Sequence, residues 1–63
     1  TPAETRILLA LASPYPVPRI AQDMGISPAT VRSHCQRIYT KLRARNRLSA
    51  VRIAREHGLL PDT

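Results

Sequence analysis

Ile20-Ala21-Gln22-Asp23-Met24-Gly25-Ile26-Ser27-Pro28-Ala29-Thr30-Val31 is the stretch on which the fold turns. Gly25 stands between two segments that each read as helix, and its missing Cβ suits the positive φ of a tight turn. Ile26 offers one apolar side chain to the core from within that turn. Ser27-Pro28 then restarts the chain, with Ser27 as an N-cap and Pro28 as a first helical residue whose absent N–H is not needed there. Ala21, Gly25 and Val31 fall at relative positions 0, +4 and +10. A small residue at 21 lets the next helix cross closely, and Val31 packs into the angle between the two helices. An ordinary helical hairpin explains each residue singly, but the spacing, Ile26 and the Ser27-Pro28 restart together describe two helices joined by a turn of about three residues.

Reading outward, Thr1-Pro2-Ala3-Glu4 has the form of a helix start: a Thr N-cap, Pro at the first helical position and Glu three residues after the cap. Ile7, Leu8 and Leu11 continue that helix as one apolar stripe. The prolines of Ser13-Pro14-Tyr15-Pro16-Val17-Pro18 end it, and Pro18 opens a second, short helix expected to run to Met24. The third helix runs from Pro28 to about Leu42, because Val31, Cys35, Ile38 and Leu42 share a stripe at the helical period. Arg43-Ala44-Arg45 forms a basic connector. Asn46 then caps a fourth helix expected to end at Gly58, with Leu59 and Leu60 folding back on the core. Repeats and β-patterns are missing, so the reading is one all-α, four-helix domain over residues 1–63.

Sixty-three residues bury one small core, too little for a large catalytic cleft. That core must be thin and aliphatic, since the chain has two Tyr and neither Phe nor Trp. The stretch begins at Thr1 without methionine or leader and reads as an excised soluble domain. It holds no apolar run near the ~20 residues of a membrane span. Residues 1–31 carry Arg6 and Arg19 against Glu4 and Asp23 and are neutral. Residues 32–63 carry the remaining eight cations against Glu56 and Asp62, so the whole net charge of +6 lies there. A neutral front and basic back imply a polyanion met by one face, either nucleic acid or an anionic membrane. Arg outnumbers Lys nine to one, and its planar fork suits phosphates and guanine edges. The lone Cys35 excludes an internal disulfide and fits a reducing compartment.

On the third helix, Ala29, Ser33, Gln36, Arg37 and Thr40 lie opposite the buried stripe, flanked by Arg32 and Lys41. Base edges call for forked donors and acceptors, Arg for guanine and Gln for adenine, with Ser serving either. Arg32 and Gln36, one turn apart, are the best readers, and Ser33 is a third. Arg37, Arg43 and Arg45 are placed to meet phosphates, which positions a protein without specifying sequence. Ser33, His34 and Cys35 invite a metal or catalytic reading, but neighbouring helix residues point about 100° apart and cannot converge on one ion or proton. Neither CxxC nor HxxxH spacing supplies further ligands. His34 is expected at the core edge, within reach of a phosphate, and His57 has no evident partner. Arg47 is open to two readings, a phosphate contact or a brace for the start of the fourth helix. Leu48 stands apart from the apolar arc of Ala50, Val51, Ile53 and Ala54, between Arg52 and Arg55.

Thr1-Pro2-x-Glu4, Ile20-Ala21, Gly25-Ile26-Ser27, Thr30-Val31-Arg32-x-His34, Ile38-x-x-Lys41-Leu42, Arg45-Asn46-Arg47, Ala50-Val51-x-x-Ala54 and Gly58-Leu59-Leu60 form an ordered set along nearly the whole chain. In this set the sequence resembles the LuxR-type (FixJ/NarL-type) helix-turn-helix DNA-binding domain of bacterial transcription regulators, a group that includes response regulators. It departs from that pattern at Pro14, Val17, Arg19 and Arg37, where the family commonly has Gly, a polar residue, Glu and Asn. The resemblance implies a third helix in the major groove, with base contacts at Arg32, Ser33 and Gln36 and phosphate contacts at Thr30 and Lys41. It further implies pairing through the fourth helix, which makes Leu48 and Arg52 dimer contacts and predicts a weak homodimer strengthened on DNA. The expectation is a cytoplasmic, sequence-specific binder of double-stranded DNA, without enzyme activity, cofactor or metal, and with RNA polymerase as a further partner. The competing reading is a basic helical adaptor that docks on an acidic protein such as an RNA polymerase subunit.

Overall fold

In the computed structural model, which describes residues 2–60, the chain forms α1 (Pro2–Leu11), α2 (Val17–Met24), α3 (Pro28–Leu42) and α4 (Arg47–Glu56). Among the described residues there is no strand. The expected Thr1 cap lies outside them. Ile7, Leu8 and Leu11 are buried as one stripe of α1. Past Leu11 the helix unwinds, and the Ser13 hydroxyl donates back to the Ala10 carbonyl.

α2 begins at Val17, one residue before the expected Pro18. The Pro16 carbonyl already accepts the N–H groups of Arg19 and Ile20 at 3.0 and 3.1 Å, so Pro16 is the cap and Pro18 falls inside the first turn, where its missing N–H costs nothing. The helix stops at Gly25, with φ 69° and ψ 32°. Its N–H bonds the Gln22 carbonyl, and that of Ile26 reaches back to Ala21 at 3.0 Å, which satisfies carbonyls left over at the helix end. A Cβ on Gly25 would meet nothing within 4 Å, so the demand for glycine is conformational rather than steric.

α3 starts as its sequence dictates, the Ser27 Oγ accepting from the Thr30 N–H at 3.1 Å and Pro28 leading the helix. It ends at Arg43 in the same left-handed geometry as Gly25, φ 56° and ψ 38°, with the Ala44 N–H donating to the Tyr39 carbonyl at 2.8 Å. Asn46 caps α4 as expected, its Oδ1 accepting from the Ser49 N–H at 2.9 Å. That helix closes at Glu56, two residues short of the expected Gly58. Gly58 takes φ 73° as the left-handed residue beyond the end, while the Leu59 N–H bonds the Ala54 carbonyl. Of the two trailing leucines, Leu60 is buried but Leu59 is 55% exposed, so only one folds back fully.

α3, about 22 Å long at 15 residues, packs against α1, α2 and α4, and most extensively against α2. Val31, fully buried, and Ala21, nearly so, occupy the crossing as the motif requires. Cys35 and Ile38 continue the buried stripe, while Leu42 at its end is half-buried. Ile7, Ile20 and Val31 each contribute about 1.5–3 kcal/mol of burial, which for so small a domain is a large share of stability. The consequence for function is mechanical: one face of α3 is locked by three other helices, and the opposite face is presented to solvent.

Candidate nucleic-acid interface

The exposed face of α3 carries Thr30, Arg32, Ser33, Gln36, Arg37, Thr40 and Lys41, and α3 contains no acidic residue. The three expected base readers, Arg32, Ser33 and Gln36, are all exposed and all on this helix. Gln36, Arg37, Thr40 and Lys41 line one shallow depression beside it. Thr30 sits in the first turn, its Oγ1 2.9 Å from the Ser27 Oγ, close to the helix N-terminus where partial positive charge gathers. Arg43 and Arg45 are exposed on the connector that follows. His34 is half-buried at the core edge, and its Nδ1 is buried without a hydrogen-bond partner.

Acidic groups sort the cations into two sets. Arg19 bonds Asp23 at 3.3 and 3.4 Å and lies over the Tyr15 ring, 4.5 Å from its centre. Lys41 pairs with Glu4 at 2.8 Å, and Arg52 with Glu56 at 3.7 Å. By contrast, Arg32, Arg37, Arg43 and Arg45 have no acidic partner among the described residues. Four guanidiniums on α3 and its connector therefore face solvent with their charge uncompensated, an arrangement that attracts a polyanion.

Arg47 belongs elsewhere. From the first residue of α4 its guanidinium reaches across to α1, donating from Nε to the Leu11 carbonyl at 3.0 Å and from Nη2 to Ala10 and Ser13 at 3.3 and 2.6 Å, and so braces the start of α4 against the end of α1. The last carbonyls of α1 lack helical partners, and a half-buried cation satisfies them while complementing the helix dipole. Glu4 is the second residue whose role local sequence hides: besides standing in the first turn of α1, it is the partner of Lys41, 37 positions away. Both contacts join residues far apart in the chain, and neither the capping-box pattern nor the family resemblance, which both include Glu4, points to its partner.

Leu48 and Arg52 stand on α4, apart from the α3 face. Leu48 is 81% exposed, the most exposed of the large apolar side chains, and lines a hollow with Val51, Arg52, Arg55 and Glu56. Cys35 is buried, and burial pushes its thiol up, which keeps it protonated and unreactive near neutral pH. Among the described residues no three His, Cys, Asp or Glu side chains gather as a metal site, and no helix is long and apolar enough to cross a membrane.

A short helix ended by a left-handed Gly25, a Ser27-capped successor and a charged outer face on that successor define a helix-turn-helix DNA-binding domain. Residues 1–54 match the family described as "Bacterial regulatory proteins, luxR family", and the chain belongs to it. The family is one of DNA-binding transcription regulators and not of enzymes. The chain is 42% identical over 60 residues to the transcriptional regulatory protein YdfI of Bacillus subtilis, covering 95% of this chain and 28% of that protein. It is 37% identical over 57 residues to the probable transcriptional regulatory protein NarL of Mycobacterium tuberculosis, covering 90% of this chain and 26% of that protein. The chain thus spans about a quarter of the length of the curated relatives it matches. No solved structure gave a significant match.

Proposed function

We propose that this chain, as one domain over residues 1–63, is the sequence-reading module of a cytoplasmic transcription regulator, with α3 in the major groove. Arg32 and Gln36 read base edges as bidentate forks, and Ser33 adds a single hydrogen bond. Thr30, His34, Arg37, Lys41, Arg43 and Arg45 hold phosphates on either side and fix how deeply α3 sits. Two copies pair through Leu48 and Arg52 of α4. The contact is far smaller than a standard interface, so the free domain is mainly monomeric and DNA supplies the effective concentration that pairing needs.

The observation that carries this reading is the outer face of α3 and its connector, where four arginines without acidic partners flank an exposed Ser33 and Gln36. The adaptor reading fits less well, because a protein-docking surface carries aromatic and aliphatic side chains at its centre. The exposed positions of α3 offer only Pro28, Ala29 and polar or charged groups. The test is the salt dependence of duplex binding. With Arg37, Lys41, Arg43 and Arg45 as the four cations on phosphates, log K against log salt should slope at roughly −3.6, from about −0.9 per contact. A slope near zero would leave the adaptor reading in its place.

A further inference from the structure

Glu4 is the one buried charged residue among those described, and it sits in a domain whose surface is strongly basic. Its side chain is 11% exposed, while that of its partner Lys41 is 64% exposed, so the ion pair runs from the edge of the core out to the surface of α3. The Lys41 ammonium thus faces two ways. Behind it, at 2.8 Å, is the Glu4 Oε2; around it, sharing the shallow depression, are Gln36, Arg37 and Thr40. An acid so placed weakens attraction to any polyanion, which calls for a compensating role.

The geometry points to Glu4 as a positioning residue for sequence discrimination: held from α1, it fixes the Lys41 ammonium at one point in the depression that it shares with the base reader Gln36. This rests on the reading above, in which Lys41 meets a phosphate. An unrestrained lysine is a point charge on a flexible four-carbon stem and follows phosphates in several registers of α3 in the groove. Random sequences profit from that tolerance as much as the preferred site does. Pinned to Glu4, the ammonium suits one register, the one in which Arg32 and Gln36 face their bases. Phosphate does not draw Lys41 away, because the buried carboxylate would lose the group that most lowers its pKa. The ammonium instead bridges the two anions. Glu4 therefore sacrifices total affinity and improves discrimination.

The test compares wild type, Glu4→Gln and Glu4→Asp, each alone and with Lys41→Met, by their dissociation constants for two duplexes. One is a duplex recovered from a random pool by the wild type; the other is scrambled. Glu4→Gln should bind the scrambled duplex more tightly, having lost a negative charge. Its ratio of selected to scrambled affinity should drop about two- to fivefold, the scale of one partly exposed ion pair. Glu4→Asp keeps the charge but shortens the reach by a methylene, so its ratio should drop with an unchanged salt slope; it also answers the question if Glu4→Gln unfolds. In the Lys41→Met background neither replacement should move the ratio, an outcome that a merely structural Glu4 would not give. An unchanged ratio with Lys41 present, or an equal drop with it absent, overturns the inference and leaves the DNA reading intact. If the wild type itself fails to discriminate between the duplexes, both fall together.

Discussion

Replacing Arg43 by glycine should make the domain more stable and a poorer DNA binder. Arg43 is the only described non-glycine residue at positive φ, 56°, and it ends α3 in a conformation that costs an L-residue about 1–2 kcal/mol. Glycine relieves that cost but brings about 0.4–1 kcal/mol of extra chain entropy to the unfolded state. The net gain is on the order of 0.5–1 kcal/mol, a rise in Tm of roughly 2–8 °C for a domain of this size. The same change removes an exposed guanidinium that has no acidic partner among the described residues. The salt slope should fall by about 0.9, and affinity should fall for selected and random duplexes alike. Arg43→Ala is the control: it loses the charge but keeps the Cβ, so its slope should fall equally without the gain in Tm. Thermal melts and fluorescence anisotropy over a salt series read both quantities. If glycine melts no higher than alanine, Arg43 is not strained; if the slope is unchanged, Arg43 does not meet a phosphate.

Leu48→Asp should leave binding to a single half-site unchanged while lowering affinity for an inverted repeat, with half-sites about one helical turn apart, by about tenfold or more. Equal binding of both proteins to the inverted repeat would remove Leu48 from the pairing surface. Acid stability should also depend on Glu4, whose carboxyl is held below its usual 4.5 by the Lys41 ammonium. A carboxylate lowered on folding stabilises above its unfolded pKa and loses that contribution as pH falls through the folded value. Melting curves of wild type and Glu4→Gln should therefore stand apart above pH 4.5 and draw together below it, and curves that stay parallel into strong acid would contradict the ion pair.

The features legible in the sequence are those that local chemistry decides. Ser27-Pro28 marks the start of α3 because a hydroxyl cap and a proline at the first position act within one turn, and Asn46 does the same for α4. Gly25 marks a turn through its own φ, and the burial of Val31, Cys35 and Ile38 follows from helical period alone. The exposure of Leu48 follows from the same count. Gly58 misleads about the end of α4 because a left-handed glycine stands beyond a helix as readily as at its last residue. Arg43 is hidden for the complementary reason: nothing in an arginine announces a conformation that glycine usually takes. The clamp from Arg47 to the end of α1 and the Glu4–Lys41 pair depend on how helices meet, and no local pattern encodes a contact between residues 34 to 37 positions apart. Of the interface, the composition of the α3 face is legible, whereas the division of its cations into paired and unpaired ones needs the fold.

Whether α3 reads bases through Arg32 and Gln36 is decided by alanine at each position, measured against a selected duplex and a scrambled one. Each substitution removes a base-edge fork, so binding should weaken by on the order of 1–3 kcal/mol on the selected duplex and hardly at all on the scrambled one. Equal losses on both duplexes would show that these side chains meet only the backbone and that α3 does not read sequence through them.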